Sequence, residues 1–219
     1  MTRRETLKRG SRGLILLAVM IFSAGSAWAG EARQPLPRVA ILAMGGTIAG
    51  QGASATATTQ YTAGVLDVAS LVASVPGLDK VARISAEQVA NIDSAHITDE
   101  HLLKLARRVN ALIASGGVDG IVVTHGTDTL EETAYFLNLV VEGDTPVVLT
   151  GSMRPATAIS ADGPLNLYNA VVRAASPQAR SQGVLVAMNE RIDAARDVTK
   201  THTTNVDTFR SPGFGSLGY

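Results

Sequence analysis

No cysteine occurs in these 219 residues, which removes disulfides, thiol catalysis and thiolate metal sites together. Stability must come from packing and from any oligomerisation. Charged residues are sparse at 17% against 46% hydrophobic, an ordinary globular balance that argues against wholesale disorder. The four histidines, His96, His101, His125 and His202, lack metal-ligand spacing such as H-E-x-x-H and read as surface or polar-packing residues. There is no P-loop. Residues 213–218 fit G-x-G-x-x-G, but they neither clearly follow a strand nor open a helix, so the dinucleotide signal is false. The expectation is a site with no metal and no cofactor.

A long apolar span is missing too. The run 14–22 has nine residues, too few for a helix to cross roughly 30 Å of hydrocarbon. It lies between Arg3, Arg4, Lys8, Arg9 and Arg12 and the small-residue stretch 23–29, which ends Ala27-Trp28-Ala29. That order is a secretory signal over 1–29, with an A-x-A cleavage site and a mature chain starting at Gly30. The opening Thr2-Arg3-Arg4-Glu5-Thr6-Leu7-Lys8 also resembles a twin-arginine signal, so the export route stays open. Either way the destination is periplasmic or secreted. Cleavage removes five of the 19 basic and one of the 19 acidic residues and leaves 14 against 18, a net charge near −4. A mildly acidic domain has no electrostatic reason to hold nucleic acid or an anionic membrane surface.

What is present alternates. Short apolar runs at 38–44, 120–123, 146–149 and 183–188 read as buried strands. Helical spacing fills 101–114, 130–141 and 165–175. Continuous apolar strands between amphipathic helices predict an α/β fold with a mostly parallel sheet flanked by helices. Ligands in such sheets collect at the carboxyl ends of strands. Three polar stretches begin there: Gly45-Gly46-Thr47, Thr124-His125-Gly126-Thr127-Asp128 and Gly151-Ser152-Met153-Arg154-Pro155. The segment 50–64 has one aromatic, Tyr61, and no apolar periodicity; it is expected to be a mobile loop, either plain surface or a lid over a substrate.

Without a thiol, the nucleophile candidates are hydroxyls, lysines and carboxylates. Thr47 follows two glycines at a strand end, where the chain turns tightly and leaves the hydroxyl exposed. A hydroxyl needs a base to take its proton, and Tyr61 could serve beside a cation. Asp128-x-x-Glu131 reads as a capping box for the following helix. The same position suits Thr127 and Asp128 for an anion or a developing oxyanion, with Asp128 able to accept a substrate ammonium. Lys200 lies in a polar segment and could act as a base if desolvated beside threonine and aspartate.

Four stretches taken together resemble the asparaginase/glutaminase family, specifically its bacterial type II members: 41–50, 124–129, 160–168 and 196–200. They occur in family order and cover nearly all of 30–219. The resemblance implies an N-terminal asparaginase catalytic domain that hydrolyses the side-chain amide of asparagine, in the family often with some glutaminase activity, without a cofactor. It implies that Thr47 attacks the carbonyl, Tyr61 assists, and Thr127, Asp128 and Lys200 form a second cluster with Lys200 as base. Ser94 and Asp128 would hold the substrate's α-carboxylate and α-amino groups, and Ser152 would offer a backbone group near the leaving amide. The family forms homotetramers whose sites borrow an acidic residue from a neighbour's smaller C-terminal domain, which lies beyond Tyr219. Ala95 stands where relatives often carry Gln or Glu, leaving the choice between asparagine and glutamine open. Two rival expectations are a glutaminase-asparaginase of broad specificity and a truncated noncatalytic amino-acid-binding module.

Overall fold

A computed structural model describes residues 35–219; the signal expected over 1–29 lies outside the described residues. Eight residues, Arg38–Gly45, form β1, an interior strand of the main sheet. After it come the two-residue strands β2 (Gln51–Gly52) and β3 (Tyr61–Thr62), the short helices α1 (Val68–Ala73) and α2 (Leu78–Val81), and strand β4 (Arg83–Ile92). Helix α3 (Asp99–Ala114), strand β5 (Gly120–Thr124), helix α4 (Leu130–Val140), strand β6 (Val147–Thr150) and helix α5 (Gly163–Ala174) then alternate regularly. Strands β7 (Val184–Met188), β8 (Arg191–Ala194), β9 (Thr199–Lys200) and β10 (Phe209–Arg210) complete the described chain.

The main sheet has six strands in the order β4-β1-β5-β6-β7-β8. All its pairings are parallel except β7 with β8, so the α/β expectation holds. Side chains of a strand point alternately to opposite faces, and the burial follows that rule. Leu42, Ile121, Val123, Val147, Leu149 and Val186 face one core with α3 and α4. Ile41, Val122, Val148 and Leu185 face the other, with α1, α2 and α5. Both faces are therefore dry, which is why the central strands read as unbroken apolar runs.

Several elements differ from the sequence reading. Strand β4 falls in a stretch to which the sequence reading assigns no element; its sequence RISAEQVANI is mixed in polarity because it is an edge strand, largely exposed or half-exposed. Helix α3 starts two residues before its first predicted residue, because Thr98 precedes it and the Thr98 N–H donates to His101 Nδ1 at 3.3 Å. The segment 50–64 is not structureless: Gln51 pairs with Thr62 and Gly52 with Tyr61 in an antiparallel hairpin. Residues 213–218 open no helix, as expected.

Strand order fixes where a cleft belongs. From β1 the chain moves to β4 on one side, then returns to β5 on the other. The strand order thus reverses between β1 and β5. In open α/β sheets the crevice outside the carboxyl ends at such a reversal is the usual binding place.

Candidate active site

The stretches leaving β1 and β5 meet through their glycines. Gly46 has φ +78°, and a Cβ there would overlap the Cα and N of Gly126. A Cβ on Gly126 would in turn come 2.5 Å from Ser94 Oγ. Only backbone fits between these three segments, so each glycine meets a steric requirement. Thr47, Thr127 and Ser94, all nearly buried, are the adjoining side chains. Thr129 Oγ1 donates to the Ser94 carbonyl at 3.0 Å and ties that segment to the start of α4.

Two threonine centres result. At the first, Thr47 Oγ1 lies 2.7 Å from Tyr61 Oη. Tyr61 reaches it because the β2–β3 hairpin folds back over β1's exit, held by Gly52 N–H donating to Thr157 Oγ1 at 2.9 Å and Ala156 N–H to the Gly50 carbonyl at 2.9 Å. At the second, Lys200 Nζ donates to Thr127 Oγ1 at 3.0 Å and to Asp128 Oδ1 at 2.6 Å. The lysine side chain is 14% exposed and the aspartate 63%. A hollow of about 460 Å³ opens beside them, with Asp128, Lys200 and His202 among its lining residues. Sequence spacing gives no sign of the Thr127–Lys200 contact, which joins residues 73 positions apart.

The capping box expected of Asp128 and Glu131 is absent. Thr129, not Asp128, precedes α4, and no side chain bonds that helix start. Asp128 is taken up by Lys200. Glu131 accepts from Thr199 Oγ1 at 3.0 Å and from the Lys200 N–H. Stronger, charge-assisted partners on β9 outcompete the local cap.

Ser152 is fully buried, and its hydroxyl donates to the Arg154 carbonyl at 2.7 Å. Its loop is fixed from the motif at 160–168. Asp162 accepts from the N–H groups of Met153 and Arg154, each at 2.9 Å, and Asn166 donates to the Gly151 carbonyl at 3.0 Å. That motif is therefore a brace for the loop after β6. Neither its composition nor its spacing reveals the role, since the partners lie upstream on another element.

His125 sits fully buried beneath the second threonine. Its Nδ1 must carry the proton, because it lies 2.7 Å from the Gly126 carbonyl, which can only accept. Nε2 then accepts from Thr133 Oγ1 at 3.0 Å. Burial pushes the imidazole down to about 4, against the opposing pull of the Gly126 carbonyl, so the ring is neutral near pH 7. This is polar packing, as the sequence reading expected.

Residues 38–219 match the family model described as "Asparaginase, N-terminal". The chain belongs to the asparaginase family. Among curated asparaginase relatives, it is 59% identical over 186 residues to L-asparaginase 2 of Bacillus subtilis, covering 85% of this chain and 50% of that protein. It is 50% identical over 215 residues to a glutaminase-asparaginase of Pseudomonas fluorescens, covering 98% and 59%. A protein of Haemophilus influenzae named as a probable periplasmic L-asparaginase is 56% identical, over 84% of this chain and 52% of that one. The crystal structure of a probable cytoplasmic L-asparaginase from Campylobacter jejuni superposes with a TM-score of 0.82 at 57% identity, covering 84% of this chain and 56% of that one. The chain spans about half the length of the curated asparaginases it matches.

Proposed function

We propose that this chain supplies the N-terminal catalytic domain of an amidohydrolase converting L-asparagine and water to L-aspartate and ammonia. The observation that carries the reading is the pair of threonine centres at the sheet's reversal point, each with a proton-handling partner: Thr47 with Tyr61 at 2.7 Å and Thr127 with Lys200 at 3.0 Å. Thr47 Oγ1 attacks the side-chain carbonyl carbon while its proton passes toward Tyr61. The tetrahedral centre collapses, the C–N bond breaks, and the leaving nitrogen takes the proton that Thr47 released by way of Tyr61 and departs as ammonia. An ester on Thr47 remains. Water, polarised by Thr127, attacks that ester; Lys200, acting as the neutral amine, takes the water proton and passes it to the departing Thr47 Oγ1, and aspartate leaves.

Substrate is held by the same frame. Asp128 accepts the α-ammonium through its exposed carboxylate, Ser94 faces the α-carboxylate, and the backbone at Ser152 lies toward the leaving amide. Ala95 beside Ser94 leaves the choice between asparagine and glutamine open, and a relative named as a glutaminase-asparaginase supports activity on both amides. A signal over 1–29 directs the mature domain out of the cytoplasm, in keeping with the relative named as periplasmic. The working form is a homotetramer in which a neighbour's second domain contributes an acidic group.

Ammonia release from asparagine and from glutamine, assayed on the purified full-length protein, tests the reading. Thr47→Ala is expected to reduce asparagine turnover about a thousandfold or more, as loss of a nucleophile does elsewhere. Retention of most of the activity in that variant would overturn the assignment of Thr47.

A further inference from the structure

Glu131 has no part in the chemistry just described, yet it touches the residue on which the second threonine centre depends. Strand β9 is two residues long and pairs within its sheet only with β10. Such a short ladder holds a strand weakly. Glu131 adds a second anchor: Oε1 accepts from Thr199 Oγ1 at 3.0 Å, and Oε2 accepts the Lys200 N–H. One carboxylate therefore receives donors from both residues of β9.

The anchor and its target share one support. Thr127, Asp128 and Glu131 lie on the single stretch leading from β5 into α4, and α4 is seated in the core by Leu130, Ala134 and Leu137, all fully buried. Fixing β9 to Glu131 thus fixes the Lys200 backbone relative to Thr127 and Asp128, which its Nζ must reach. A carboxylate accepting two hydrogen bonds is stronger in this role than a neutral group. It also sits in the first turn of a helix, where the helix dipole favours negative charge.

We propose that Glu131 is a positioning residue of this site: it clamps strand β9 so that Lys200 Nζ bonds Thr127 and Asp128. The catalytic part of this inference rests on the amidohydrolase reading; the clamp itself does not. The test is therefore read in two ways. The first is trace acetylation of lysines with acetic anhydride, measured by mass spectrometry on the full chain, with Lys80 and Lys104 as internal references. Glu131→Ala is expected to raise labelling of Lys200 several-fold relative to both references, and Glu131→Gln, which keeps one acceptor, to raise it less. Thr199→Val removes one donor while keeping the side-chain shape, and it is expected to raise Lys200 labelling as well; it carries the test should Glu131→Ala fail to fold. Unchanged relative labelling of Lys200, or an equal rise at the reference lysines, overturns the clamp.

The second reading is turnover. Glu131→Ala is expected to lower kcat for asparagine about 100-fold with KM nearly unchanged, because a displacement near 1 Å has effects of that order, and Glu131→Gln is expected to recover part of it. If the wild type releases no ammonia while the variants show the labelling change, the clamp stands and the hydrolase reading falls. If the wild type turns over and the variants show no labelling change, the reverse holds.

Discussion

At the scale of single residues, sterics and protonation make the sharpest demands. Gly46 combines a positive φ with direct backbone contact to Gly126. Gly46→Ala therefore has both a strained conformation and an overlap, and urea denaturation should show a loss of at least about 2 kcal/mol. A change within experimental error would mean that the two loops move apart readily. His125 supplies a pH dependence. Its folded pKa, about 4, lies below the ordinary 6.5, so between those values the unfolded chain binds the extra proton. Stability is then full above pH 6.5 and falls as pH drops toward 4, by up to about 1.4 kcal/mol per pH unit. A carboxylate such as Asp119, held down to about 2 mainly by hydrogen bonds from Arg38, loses its contribution only below its ordinary 3.8. Denaturation curves at stepped pH should show the upper phase in the wild type and lack it in His125→Gln. These two residues were legible to different degrees: Gly46 stands out at a strand end, whereas the burial of His125 follows from tertiary packing that no spacing reveals.

Among elements, the β2–β3 hairpin carries the clearest prediction. It exists to bring Tyr61 Oη to Thr47, and Gly50 lets the ring lie close, since a Cβ there would come 2.9 Å from Tyr61 Cδ2. Tyr61→Phe keeps the ring and deletes only the hydroxyl, so kcat should fall about 100-fold or more, the usual yield of a positioned proton donor or acceptor. Near-normal turnover in that variant would remove Tyr61 from the chemistry. Strands β1, β5, β6 and β7 are readable because burial on both faces makes them unbroken apolar runs, and helices α3, α4 and α5 because burial of one face imposes a clear period. Strand β4 escaped because an edge strand tolerates polar side chains, and β9 because two residues cannot show a pattern. Glu131 was misread for a related reason. Local spacing offered a cap three residues away, while the residues that actually bind it lie 68 and 69 positions along the chain.

For the whole molecule, the sheet separates two cores, and the site lies on the edge where both end. Leu137 on α4 belongs to one core and Leu167 on α5 to the other, each fully buried. Either leucine changed to alanine should cost about 2–5 kcal/mol. With the sheet between them, the double variant should lose nearly the sum, with unfolding still cooperative. A marked departure from additivity would show that the sheet transmits packing strain from face to face. The glycine contact between Gly46 and Gly126 has a consequence at this scale for any attempt to change the substrate. Glycine has nothing left to trim, so this wall of the cleft offers no side-chain atoms whose removal would make room. Larger amides would have to be accommodated elsewhere, through the hairpin bearing Tyr61 or the exposed position of Ala95. Variation in substrate range is therefore to be sought in those two places, with the paired glycines as the fixed reference against which both threonines are measured.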